Sequence, residues 1–92
     1  MSAWAALRQI RSMPRYLLHH RHAPHECGVV FASFKSHESS LRRKTTLGSC
    51  RSGEHAIWWT VDASSEAEAL ELLPFYVAER TIATSVSEVE IP

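Results

Sequence analysis

Glycine and cysteine are scarce in this sequence, with three and two in 92 residues, and neither a net charge nor a long apolar run is present. The scattered glycines form no Gly-rich loop to cradle a phosphate, and there is no Walker sequence and no GxSxG elbow. No segment approaches the roughly 20 consecutive apolar residues of a membrane span, which predicts a soluble protein with no membrane partner. Ten basic side chains against ten acidic ones cancel, so no overall field steers the chain toward nucleic acid or anionic lipid. Two cysteines fit a reducing compartment, and a cytoplasmic location is the expectation.

The charge that is present is uneven. No acid precedes Glu26, where only Arg8, Arg11, Arg15 and Arg21 are charged, whereas the chain after Asp62 is dominated by glutamate. The arginines are dispersed and not interleaved with stacking aromatics, so they read as a solvated face and no nucleic-acid partner is expected. At this length the chain is one domain that buries only about 60% of its unfolded surface, and a partner subunit would help it. In the opening "MSAWAALRQIRS", Trp4, Leu7 and Ile10 fall on one helical stripe beside Arg8 and Arg11, a faint echo of a targeting peptide whose apolar run is too short for a secretory signal. Residues 1–13 are therefore read as a loosely attached extension and residues 14–92 as the domain.

"RYLLHHRH" (15–22) alternates Tyr16, Leu18, His20 and His22 against Leu17, His19 and Arg21, which predicts a strand. Ala23-Pro24 stops it, and a proline in the first turn of a helix loses nothing. Cys27, Val30, Phe31 and Phe34 then follow at i, i+3, i+4 and i+7, one apolar stripe expected to face the core, with Leu41 extending it. "TTLGSC" (45–50) is β-prone and Gly53 marks a hairpin turn. "HAIWWTVD" (55–62) carries apolar side chains on both faces and predicts a central strand. Ser65 and Glu68 form a capping-box pattern for a second helix from Glu66, which Pro74 ends or kinks, leaving a short turn from Phe75 to Arg80. "TIATSVSEVEI" (81–91) predicts a last strand.

The order strand, helix, strand, strand, helix, strand is the α+β, ferredoxin-like βαββαβ arrangement: a four-stranded antiparallel sheet with two helices on one face. Trp58 and Trp59 point to opposite faces, so the uncovered face needs a partner, and a homodimer through it is expected. With "VDASSEAEAL" passing from third strand to second helix and "LLPFYVAERTIATSVSEVEIP" running through a proline into an edge strand, the chain resembles the dimeric α/β-barrel superfamily over residues 14–92. That superfamily includes muconolactone isomerase, the stress-response barrels and small nickel-binding or uncharacterised bacterial domains. The likeness lies in the order of elements and implies a ligand between the open sheet face and nearby loops, with no single chemistry attached.

"HHRHAPHEC" (19–27) concentrates four of the six histidines and one cysteine. In the predicted topology the end of the first strand lies beside the start of the third, which brings His20 and His22 toward His55 and Cys50, with Cys27 at the start of the first helix. The spacings His22-x4-Cys27 and Cys50-x4-His55 supply nitrogens and sulfurs suited to a tetrahedral ion, so His20, His22, Cys27, Cys50 and His55 are the candidate ligands of zinc, nickel or copper. Cys27 has three other readings: a thiolate activated at a helix start, a buried apolar side chain, or half of a Cys27–Cys50 disulfide. A small-molecule isomerase or lyase is the alternative, with His22 or His55 as base and Glu26 or Glu54 as its orienter; a structural or interaction role without catalysis is the third. Tyr16, Trp58 and Trp59 are the candidate lining of an aromatic ligand cleft.

Overall fold

The computed structural model of the protein describes residues 13–92; the N-terminal extension, Met13 apart, lies outside them. Four strands, β1 (Arg15–Arg21), β2 (Leu47–Gly48), β3 (Ala56–Asp62) and β4 (Thr81–Val86), form one sheet in the order β2-β3-β1-β4, with every neighbouring pair antiparallel. Three short helices, α1 (Cys27–Ser33), α2 (Glu66–Glu71) and α3 (Phe75–Ala78), complete an α+β fold.

The two-residue period of β1 decides where the core lies. Leu18 is fully buried between its ladder partners Trp59 and Ala83. Val30 of α1, Ala69 of α2, Leu73 of the link that follows it and Val77 of α3 close over that face. Burying a leucine or valine of this kind contributes about 1.5–3 kcal/mol. Trp59 belongs to this helix side, whereas Trp58 lies on the other face, its ring stacked 5.3 Å from that of His19.

The second helix starts as its sequence predicts: the Glu68 N–H donates to Ser65 Oγ (3.1 Å), and the Glu68 carboxylate reaches back to the Ser64 N–H (3.3 Å). Pro74, with no N–H to give, separates α2 from α3.

Three expectations need correction. Of the apolar stripe, Val30 is buried and Phe34 packs against the core, but Phe31 is 55% exposed. Phe31 instead lines a cavity with Lys44, Thr46 and Ile57. Leu41 joins the core from a separate turn and not from the helix. The "TTLGSC" strand shrinks to Leu47–Gly48, after which the 3₁₀ turn Cys50–Ser52 and two left-handed residues, Gly53 (φ 93°) and His55 (φ 54°), reverse the chain. Lastly, β4 stops at Val86, opposite Arg15 where β1 begins, and Pro14 before it has no N–H to extend the ladder. Val89 and Ile91 beyond it are exposed.

Candidate metal centre

The β1–β3 register places His20 opposite Ile57 and Arg21 opposite Ala56. One residue further, the His22 N–H donates to the His55 carbonyl at 3.1 Å, so one histidine leaves the sheet where the other enters it. Each is followed or preceded by a tight turn that carries a cysteine. The 3₁₀ turn Pro24–Glu26 runs into α1 and delivers Cys27, and the turn Cys50–Ser52 delivers Cys50. The two halves, His-x4-Cys and Cys-x4-His, meet across the sheet margin.

His22, Cys27, Cys50 and His55 each direct one donor atom to a common point, all four atoms lying within 4.8 Å of one another. His22 Nε2 is 3.2 Å from Cys27 Sγ and 3.5 Å from Cys50 Sγ, and His55 Nδ1 is 2.9 Å from Cys27 Sγ. With Zn–N near 2.0–2.1 Å and Zn–S near 2.3 Å, tetrahedral geometry requires N···S edges of about 3.5 Å. The two separations from His22 Nε2 thus lie near those an ion would impose and that from His55 Nδ1 is shorter, while His55 takes a left-handed backbone at the mouth of its strand. Both cysteines are free thiols, half-buried. No disulfide joins them, and Cys27 faces histidines and not only the core.

His20 is not among the converging donors. It is fully buried behind them, with Nε2 2.9 Å from His22 Nδ1 and Nδ1 3.2 Å from Thr81 Oγ1 and 3.3 Å from the Val77 carbonyl. The Thr81 hydroxyl donates to that carbonyl at 2.6 Å. Burial, with His22 beside it, lowers the pKa of His20; burial, with His55 beside it, lowers that of His22. The Cys50 thiol is raised, by burial first and by its contact with Cys27 second. Every resolved shift within this group of side chains favours the neutral form, as expected of a polar cluster drawn out of water.

A second cluster braces the turn before Cys27. Glu26 accepts from the Ala23 N–H (2.9 Å), from Arg80 Nε (3.0 Å) and from the Tyr76 hydroxyl, while the Arg80 guanidinium lies 3.8 Å over the Tyr76 ring. These bonds, with Tyr76 first, hold the Glu26 carboxyl down from its ordinary 4.5 to about 2. Glu26 therefore fastens α1 to α3 and orients no histidine. Among the described residues no hydrogen bond joins Glu54 to His55 either. Tyr76 and Arg80 were illegible as partners in the sequence, because nothing local relates them to an acid 50 and 54 residues away.

The three aromatic residues expected to share a cleft do not gather in one place, although Trp59 lines a cavity beside α1. Tyr16 packs against the core, Trp59 is 8% exposed within it, and Trp58 occupies the opposite face. His25 is exposed, and His37 Nε2 lies 3.1 Å from the Glu71 carbonyl, away from the centre.

Because the folded chain depresses Glu26, its contribution to stability is present in full above the ordinary carboxylate range and is lost as pH falls from about 4.5 toward about 2. Thermal melts in chelator should show wild type losing stability across that interval. Glu26→Gln should melt lower than wild type at pH 6 and should converge with it near pH 2; parallel pH profiles would contradict this assignment. No protein-family model, no curated protein and no solved structure matches the chain, so its chemistry has to be argued from this geometry.

Proposed function

We propose that this chain is a ferredoxin-like βαββαβ domain of the dimeric α/β-barrel kind that binds one transition-metal ion through His22, Cys27, Cys50 and His55. The observation that carries the reading is the convergence of four donor atoms, from two remote segments, within 4.8 Å. Two imidazoles and two thiolates in a tetrahedral set favour zinc over nickel or copper(II), which prefer square-planar surroundings. Four protein donors complete that shell without an open position for water, which fits an ion that is held or that stabilises the fold better than a hydrolytic centre. The isomerase or lyase alternative requires a histidine oriented by a carboxylate, and Glu26 is engaged elsewhere.

Protein made without a histidine tag is expected to carry about one zinc per chain by mass spectrometry of the metal, and its cobalt-substituted form to absorb as a tetrahedral thiolate complex. Cys50→Ser and His55→Ala should each lose the bound metal. A full equivalent retained by the Cys27→Ser/Cys50→Ser double variant would overturn the reading.

Hydrogen-bond direction gives His20 a part in the same site. With His22 Nε2 on the metal, its Nδ1 must carry the proton and donate to His20 Nε2; His20 Nδ1–H then donates to Thr81 Oγ1 or the Val77 carbonyl, the two acceptors in reach. One tautomer follows from the other. Loss of such a partner costs about 10- to 100-fold in metal affinity. His20→Phe, which keeps a ring but no acceptor, should show a loss of that size in competition with a chromophoric chelator. His20→Gln, which can accept from His22 and donate to Thr81, should recover part of it, and equal affinities for the two variants would remove the role.

The dimer rests on the other face of the sheet. There Leu47, Trp58, His19 and Ile82 follow one another across all four strands in ladder register. Leu47 is 75% and Ile82 69% exposed, and His19 Nε2 is shielded from solvent without a hydrogen-bond partner. An apolar row of this kind is the usual mark of an interaction surface. Light scattering is expected to give twice the chain mass, reduced to one chain by Ile82→Glu with metal content unchanged; a monomeric wild type at micromolar concentration would exclude the dimer.

A further inference from the structure

Beside the metal ligands, on the helix side of the sheet, a trough runs between α1 and the connection from α1 to β2. It consists of two adjoining cavities of about 180 and 400 Å³ that share Phe31, Lys44, Thr46 and Ile57. Phe31, Phe34 and Trp59 supply its apolar surface, and Arg42, Arg43 and Lys44 stand along one side. Arg51 is added at the end where Cys50 forms the wall. No acidic residue lines either cavity, in a chain whose acids and bases are equal in number.

We propose that this trough binds a small organic anion with a flat apolar body, of the aryl-carboxylate or aryl-sulfonate class. The cavities have the size of a single small-molecule site, and pockets of that kind combine apolar walls with a few polar groups that fix orientation. A cation row over aromatic walls selects a ligand that carries both features: the apolar body leaves water against Phe31, Phe34 and Trp59, while the anionic group stays at the wet margin with Arg43 and Lys44. A bare phosphate would leave the aromatic walls unused, and a polynucleotide would need a longer stacking surface than one trough of this volume offers.

The basic side is built before any ligand arrives. The Ser39 hydroxyl donates to the Leu72 carbonyl at 2.6 Å, His37 Nε2 contacts the Glu71 carbonyl at 3.1 Å, and Leu41 packs against the core. These ties fix the connection to the end of α2. Arg43 then takes a left-handed backbone, φ 66°, which a residue with a Cβ adopts only where its surroundings enforce it. Of the three cations beside Phe31, Arg42 alone makes an ion pair among the described residues, with the almost wholly exposed Glu38 at 3.9 Å. Arg43 and Lys44 make no ion pair among the described residues. The exposure of Phe31 also acquires a purpose, because its ring lines both cavities together with Lys44.

The test uses two probes of nearly equal apolar body, 8-anilinonaphthalene-1-sulfonate and the uncharged N-phenyl-1-naphthylamine, with full-length metal-loaded protein, and a Trp4→Phe/Trp58→Phe variant leaves Trp59 fluorescence as a second signal. The sulfonate should saturate at one per chain and bind about ten-fold or more tightly than the neutral probe, with affinity falling as salt rises. Arg43→Gln/Lys44→Gln should lose that preference, and Phe31→Ser should weaken both probes, with melting temperature and metal content unchanged in each variant. Equal binding of the two probes, or charge variants that bind the sulfonate as wild type does, would overturn the proposal. The same titration on chelated protein that keeps its circular dichroism separates this site from the metal reading, since the charge preference should persist there.

Discussion

The register of β1 on β3 governs everything at the sheet margin. Leu18 against Trp59 and His20 against Ile57 leave His22 to bond the His55 carbonyl, and only this alignment puts both imidazoles on the helix side. A slip of one residue would send Leu18, His20 and His22 to the opposite face together. The packing of Leu18 among Val30, Val77 and Ala83 thus has a chemical consequence. It is the apolar side chains of β1 that hold the polar ones in place.

That placement has an electrostatic cost. Two imidazoles and two thiols gathered at a half-buried margin repel further protonation of the histidines and resist ionisation of Cys50. A divalent ion relieves both strains at once, since it accepts the imidazole lone pairs and takes the place of the thiol protons. The Glu26–Tyr76–Arg80 cluster carries no such contradiction: the carboxylate accepts from both the hydroxyl and the guanidinium. It stiffens the turn that presents Cys27, while the left-handed Gly53 and His55 shape the turn that presents Cys50 and His55. Hydrogen-bonded turns around four converging donors are an arrangement suited to holding an ion.

How much of this the amino-acid order discloses depends on the range of the interaction. The first strand, expected over 15–22 and found over 15–21, the capped start of the second helix and the break at Pro74 follow from period, cap and missing N–H, all of them local. The meeting of His22 and Cys27 with Cys50 and His55 was also legible, because antiparallel neighbours place one strand's end beside the other's start. The division of labour between His20 and His22 was not. Both lie on one face of β1, and only the depth of the core beneath each decides which ring reaches the margin and which is sealed behind it. The shortness of β2, the outward Phe31 and the brace at Glu26 likewise depend on packing between segments far apart in the chain.

The three histidines of "HHRH" show how one short stretch acquires three environments. His19, a single residue from His20, belongs to the opposite face and stacks on Trp58. His20 faces the core, where the α3 carbonyl of Val77 and the hydroxyl of Thr81 meet its ring. His22 shares the face of His20 but lies past the last residue of β1, where the helices no longer cover the sheet, so its ring meets sulfur instead of methyl groups. Alternation along the strand separates the first from the second, and the edge of the core separates the second from the third. A metal at His22 would therefore be wired inward through His20 to α3 and β4, and the opposite face would remain free to meet a second copy of the chain. The trough beside α1 lies on the helix side of the sheet and shares Cys50 with the metal centre. A second copy would then use a surface apart from the other two ligands, whereas an anion in the trough would lie against the Cys50 wall of the metal centre.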